Sequence, residues 1–241
     1  MSHVKNLQSF DKVIEICTGL GRKYNPGHLN LQVSTMNSHL QIAQQLWQDF
    51  KEARKAYDNA TNARKEAFQG IRVLSRSVQG MLKTSGANPL LMADALNAKR
   101  KICGARITKP PDAKADGATT DTKKKSTRAS YAKAYVAVAE YFDELVKTVE
   151  SEPRYRANET HLTLTGLQEM KAKLFALNKA VADAEVHLDK ARFQRNEMFY
   201  TDPNSIVNMA KGVKAYVRSI FGLNSQEYQL VQKIRFTKPT L

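Results

Sequence analysis

Arg106-Ile107-Thr108-Lys109-Pro110 recurs at the end of the chain as Arg235-Phe236-Thr237-Lys238-Pro239, and further matches precede each copy at nearly constant distance. With a shift of 131 positions, Tyr24 falls on Tyr155, Leu31 on Leu162, Leu46 on Leu177, Ala53 on Ala184, Asp58 on Asp189, Ala60 on Ala191, Arg64 on Arg195, Glu66 on Glu197 and Phe68 on Phe199. Phe10-Asp11 meets Phe142-Asp143 at a shift of 132, and the closing pentapeptides meet at 129. A few small insertions and deletions in one copied unit produce such a drift; a short-period repeat does not. Nine identities over the 45 positions from Tyr24 to Phe68 compare with roughly three expected by chance. Helical periodicity would reproduce apolar matches, but it says nothing about Arg64/Arg195 or the Thr-Lys-Pro endings. The chain therefore reads as an internal duplication: a first helical repeat at 1–110, a flexible charged linker at 111–127 and a second helical repeat at 128–241.

Each repeat reads as a short helix, a tight link, a long helix, a break, a second helix and a basic tail. Phe10, Val13, Ile14 and Cys17 have helical spacing, ended by Gly19 and Gly21. Their counterpart, Tyr131, Tyr135, Val138, Phe142, Leu145 and Val149, makes a longer apolar stripe that stops near Pro153. Tyr24-Asn25-Pro26-Gly27 and Tyr155-Arg156-Ala157-Asn158 read as turns into the long helices. The first long helix places apolar residues by threes and fours from Met36 to Met81, close to a coiled-coil seam, with a kink or a continuous helix expected at Gly70. The second runs from Leu164 to Met198 and meets Asp202-Pro203, where the residue before proline disfavours helix. Ile206, Ala210, Val213, Val217 and Ile220 then resume it. Strand signals are confined to Lys233-Ile234-Arg235-Phe236, too few residues for a sheet. The expectation is an all-α, internally duplicated bundle of long, partly coiled-coil-like antiparallel helices arranged as a pseudo-symmetric pair.

Residues 111–127 have almost nothing to bury and cannot offset the entropy cost of ordering. Their reach as a linker is about 20 to 25 Å, enough to place two halves side by side. Cys17 and Cys103 have no partners at matching positions of the second repeat, so neither a disulfide framework nor a thiolate metal site is expected; both read as small buried apolar residues. No charged stretch followed by an apolar one opens the chain, and no apolar run approaches the ~18 residues that span a bilayer. A cytoplasmic protein is the expectation.

The formal net charge is +15. Residues 1–110 carry 17 Lys+Arg against 7 Asp+Glu, and residues 128–241 carry 17 against 13, so the first repeat holds most of the excess. Such a balance favours polyanionic partners. Candidate polyanion contacts are Lys99, Arg100 and Lys101 with Arg106 and Lys109, then Lys123, Lys124 and Lys125, then Lys233, Arg235 and Lys238. Phe236 alone supplies an aromatic among them, so the nucleic-acid binding they would support is non-specific and salt-dependent. For each cluster alone, a solvated basic face is the simpler reading.

Catalytic constellations are missing from the pattern. No phosphate-cradling glycine loop, nucleophile elbow or paired-histidine zinc motif occurs. His3, His28, His39, His161 and His187 are dispersed and read as surface or boundary residues. Glu140, Asp143 and Glu144 read as an acidic helix face, and the sequons at Asn59 and Asn158 carry no weight without secretion. No catalytic, cofactor or metal residue and no small-molecule substrate is assigned. Arg64 and Arg195 each have a glutamate, Glu66 or Glu197, two positions on, which points elsewhere on a helix. Reciprocal packing of the repeats would pair Arg64 with Glu197 and Arg195 with Glu66; exposed arginines beside the seam are the alternative and the simpler expectation. The first functional expectation is a non-enzymatic scaffold or protein-interaction protein, with a protein partner or self-association; the alternative is a non-specific nucleic-acid-binding protein.

Overall fold

A computed structural model of the chain describes residues 2–104 and 128–237. The linker expected at 111–127 lies outside them. The described residues form eight α-helices and no strand: α1 (Ser2–Gly19), α2 (Val33–Gln69), α3 (Ile71–Thr84), α4 (Pro89–Cys103), α5 (Arg128–Glu150), α6 (Leu164–Asn196), α7 (Ile206–Phe221) and α8 (Gln226–Gln232). The fold is all-α. Single 3-10 turns stand at Gly21–Lys23, Leu29–Leu31 and Thr160–Leu162, and a π-helical turn, Glu197–Thr201, closes α6.

The links before the long helices are built alike. Leu29–Leu31 and Thr160–Leu162, like the starts of α2 and α6, lie 131 residues apart. In the first link the Tyr24 hydroxyl donates to the Leu31 carbonyl at 2.7 Å, and in the second the Tyr155 hydroxyl donates to the Leu162 carbonyl at 2.7 Å. A tyrosine so placed fills the elbow with its ring and satisfies a carbonyl at the helix entrance. Burial raises the pKa of both phenols, so both stay protonated donors.

The seam from Met36 to Met81 does not run through one helix. It is interrupted at Gly70, which keeps helical angles (φ −85°, ψ −11°) while the amides of Val73 and Leu74 both turn to its carbonyl, each at 3.0 Å. A one-residue turn thus separates α2 from α3. In the second repeat Asp202 is extended ahead of Pro203 (φ −61°, ψ 138°), as a pre-proline residue prefers. The regions read as basic tails contain two further helices. Asn88 caps α4 by accepting from the Leu90 amide at 3.0 Å, Pro89 occupies its first turn, and Gly104 ends it in the left-handed region. The Ser225 hydroxyl caps α8, accepting from the Tyr228 amide at 3.1 Å.

The chain divides into two compact units, one of Met1–Tyr57 with Ala184–Leu241, the other of Asp58–Asp183. They do not coincide with the repeats at 1–110 and 128–241. Each takes the opening of one repeat and the close of the other, and α2 and α6 contribute to both. In the first unit α1 rests on α7 and α8, burying Phe10, Val13, Ile14 and Cys17 among Met36, Leu40, Phe199, Ile206, Val213 and Val231. In the second α5 rests on α4 and α3, burying Phe142, Leu145, Val146 and Val149 among Ile71, Val78, Leu82, Ile102 and Leu167. Each large apolar side chain so buried contributes about 1.5–3 kcal/mol relative to exposure.

Two glycines make opposite predictions. A Cβ at Gly166, in the first turn of α6, would lie 2.1 Å from the Thr160 carbonyl oxygen, whereas one at Gly80 in α3 meets nothing within 4 Å. Gly166→Ala is expected to lower stability by about 1–3 kcal/mol through overpacking against backbone. Gly80→Ala is expected to raise it by up to about 1 kcal/mol through helix propensity. Thermal denaturation of the two variants checks the pair.

Candidate functional site

The two matched arginines are buried for the same purpose. Arg64 is 7% exposed and lays its guanidinium 4.4 Å from the ring centre of Tyr135, whose edge-to-face partner at 4.9 Å is Phe68. Arg195 is 6% exposed and lies 4.0 Å over the ring of Phe50, while its Nε and Nη2 donate to the Asn196 side-chain oxygen at 3.1 and 2.7 Å. Aromatic faces attract a guanidinium through the ring quadrupole, by up to about 2 kcal/mol where water is excluded. Burial lowers the pKa of Arg195, with Tyr200 opposing and Arg192 adding to the shift. The expected partners, Glu197 for Arg64 and Glu66 for Arg195, are both exposed and belong in each case to the other compact unit. Within its own unit each guanidinium has a ring instead.

Of the two expectations for the histidines, His3 takes the boundary one: it is half-buried. Its ring sits 5.2 Å from Trp47, 5.5 Å from Phe199 and 5.7 Å from Tyr200, and its Nδ1 is hydrogen-bonded to the Tyr200 hydroxyl at 2.9 Å. Burial, aided by the charge of Arg195, lowers its pKa to about 4. The imidazole is therefore neutral at neutral pH. His28, His161 and His187 are exposed.

The basic run of α4 does not act as one patch. Lys99 donates to the Gln79 side chain at 2.6 Å, Lys101 pairs with Glu144 at 3.2 Å and lies 4.9 Å over Tyr141, and Arg100 is exposed. Successive helical residues point in different directions, so three adjacent cations cannot face one ligand. Arg106, Lys109, Lys123, Lys124, Lys125 and Lys238 lie outside the described residues. The acidic face of α5 is likewise taken up: Asp143 binds Lys147 at 2.7 Å and Lys171 at 3.1 Å. Burial of Asp143 raises its pKa, but these two hydrogen-bonded lysines outweigh it and the net shift is downward.

Cations do converge at the end of the chain. Val207, Lys211 and Lys214 of α7, Gln232 of α8 and the extended residues Ile234, Arg235 and Phe236 line a cavity of about 440 Å³. The tail is fastened there by Asn6, which is fully buried. Asn6 Nδ2 donates to the Thr237 carbonyl at 2.8 Å and to the Tyr200 hydroxyl at 3.1 Å, and its Oδ1 accepts from the Thr237 amide at 2.9 Å. The Ser9 hydroxyl donates to the Arg235 carbonyl at 3.1 Å, and the Lys214 ammonium donates to the Ile234 carbonyl. Burial and the neighbouring charge of Arg235 hold the Lys214 pKa below the usual lysine range. Sequence reasoning singled out Arg235 and exposed Lys233 but missed Lys211 and Lys214, although their spacing of three on α7 puts them on one face.

Among the described residues no group of three or more His, Cys, Asp or Glu could hold a metal ion, and no helix is long and apolar enough to cross a membrane. Both cysteines are free; Cys17 is buried and its thiol is pushed up to about 11 by that burial, while Cys103 is only half-buried. Comparison of the chain with family models, with curated proteins and with solved structures finds no match.

The His3 environment predicts a pH dependence. Between its ordinary pKa of 6.5 and the folded value of about 4, the unfolded chain binds a proton that the folded chain does not. Stability therefore falls as pH drops through that window. Thermal denaturation against pH is expected to show a shallower decline there for His3→Phe than for the parent; an identical slope contradicts the assignment.

Proposed function

We propose that the protein is a non-enzymatic interaction scaffold, a doubled helical unit that offers its long helices to a protein partner or to further copies of itself. The observation that carries the reading is on α6. Val186 and Phe193 are each 69% exposed, and seven residues place them on one face two turns apart. Bare apolar side chains aligned on a helix face support a contact surface. At the corresponding positions of the first repeat, 131 residues earlier, stand Lys55 and Asn62, so only one repeat carries the feature. Such divergence is what a fused pair of units permits.

The duplication is supported by the twin tyrosine links, by the matched burial of Arg64 and Arg195, and by the fully buried pairs Phe10 with Phe142 and Met36 with Leu167. The non-enzymatic character is supported by how the buried polar groups are used. Asn6 fastens the tail, Glu152 accepts from Arg154 Nε at 2.9 Å, and the arginines lie on rings. Scattering and sedimentation over a range of concentrations test the reading. Self-association, or co-purification of a partner from the source cells, is expected, and Val186→Lys with Phe193→Lys should abolish it with helicity unchanged. A compact monomer at every concentration that brings nothing with it contradicts the scaffold.

The cleft of Lys211, Lys214 and Arg235 favours a second reading, a non-specific nucleic-acid-binding protein. Binding to single-stranded or duplex nucleic acid should then fall steeply with salt, and Lys211→Met with Arg235→Met should reduce the slope of log K against log salt by about 2 on duplex. Absence of binding at about 50 mM salt removes this reading.

A further inference from the structure

The stretch from Ile206 to Thr237 carries five cations, Lys211, Lys214, Arg218, Lys233 and Arg235, against one carboxylate, Glu227. Three of the five, Lys211, Lys214 and Arg235, line the cavity of about 440 Å³ formed with α7, α8 and the tail, and among the described residues no Asp or Glu shares its walls. Lys214 is half-buried; Lys211 and Arg235 are exposed. The charge of Arg235 already bears on Lys214. Cations crowded together without a counter-ion repel one another, and an anion seated between them removes that repulsion.

The fold leaves these cations available. Among the described residues none of the three forms an ion pair. Lys211 Nζ donates to the Asn208 side chain at 3.3 Å and Lys214 Nζ to the Ile234 carbonyl, and an ammonium has further donors to spare. The tail is fastened by its backbone, Arg235 through its carbonyl to Ser9 and Thr237 through its amide and carbonyl to Asn6. Docking therefore does not draw on the Arg235 guanidinium. The other walls are Val207, Ile234, Phe236 and the amide-bearing Gln232. The Phe236 ring centre lies 5.9 Å from Lys214 Nζ, which puts an aromatic surface beside the cationic end. The volume falls within the roughly 300–1,000 Å³ of small-ligand sites.

We propose that this cleft binds a nucleotide by its terminal phosphate, either free or at the 5′ end of a strand, with Lys211, Lys214 and Arg235 on the phosphate and Phe236 beside the base. A phosphate monoester carries about −1.5 to −2 charges near pH 7 and three strong acceptor oxygens. An internal phosphate of a strand carries a single charge. Three cations converging on one cavity without a carboxylate match the monoester, and an aromatic face accepts a base of any identity by stacking. The inference rests on the nucleic-acid reading of the cleft and names the group that is recognised there; the apolar face of α6 has no part in it.

Fluorescence anisotropy on the full-length chain at about 50 mM salt tests it, with one single-stranded oligonucleotide labelled at its 3′ end and ending in either a 5′-phosphate or a 5′-hydroxyl. The phosphorylated form is expected to bind about tenfold more tightly or better, and adenosine 5′-monophosphate to displace it. Arg235→Met and Lys211→Met are each expected to erase the preference with Tm unchanged, whereas Lys233→Met, which removes a cation outside the cavity, should weaken both forms alike and keep the preference. Equal binding of the two forms overturns the proposal and leaves non-specific nucleic-acid binding standing. Displacement by a glutamate-rich peptide as effective as by the nucleotide overturns it too. Failure of either strand and of the nucleotide to bind removes both readings of the cleft.

Discussion

The opening helix of each half of the chain buries its apolar stripe against helices supplied by the other half, and the remaining features follow from that exchange. Phe10 and Val13 of α1 have no exposed surface, and their cover includes α7 and α8 at the far end of the chain. Phe142 and Leu145 of α5 are equally buried, against α3 and α4 of the preceding repeat. At about 1.5–3 kcal/mol for each such side chain, the four together contribute about 6–12 kcal/mol before the entropy cost of ordering, the same order as a typical net domain stability of about 5–15 kcal/mol. Each compact unit draws its core from both halves of the chain. The unit that joins both ends of the chain has the longer loop to close and is expected to form more slowly.

Polar residues then act as fasteners for this arrangement. Tyr24 and Tyr155 fix the elbows through which each opening helix is returned to a long one. Arg64 and Arg195 lie on aromatic rings, which offset part of the cost of burying a guanidinium; Arg195 also donates to Asn196, whereas the Arg64 Nε is buried without a hydrogen-bond partner among the described residues. Asn6 ties the last described residues to α1, and Arg235 lines a cleft with Lys211 and Lys214.

Much of this was legible in the residues, and what was not has physical reasons. Three-four spacing located α1, α2, α5, α6 and α7, and the identical tyrosines marked the links. Periodicity tells which face of a helix is buried and is silent on what covers it, so the division into two units cutting across the repeats could not be read. The matching of Arg64 and Arg195 drew attention to them as polar residues beside the seam, but it favoured exposure or glutamate partners; their aromatic partners, Tyr135 and Phe50, stand at unmatched positions. α4 and α8 were overlooked despite ordinary signals: Asn88 before Pro89, Gly104 at the close, and Ser225 ahead of Gln226. The lysine and arginine runs misled because adjacency in sequence disperses charge around a helix, whereas Lys211 and Lys214, less conspicuous as text, share a face.

Native-state hydrogen exchange on the intact protein tests the exchange of helices most directly. Under mild denaturant α1 is predicted to lose protection together with α7 and α8, and α5 together with α3 and α4. Loss of α1 in concert with α3 and α4, while α5 stays coupled to α7 and α8, would contradict the account.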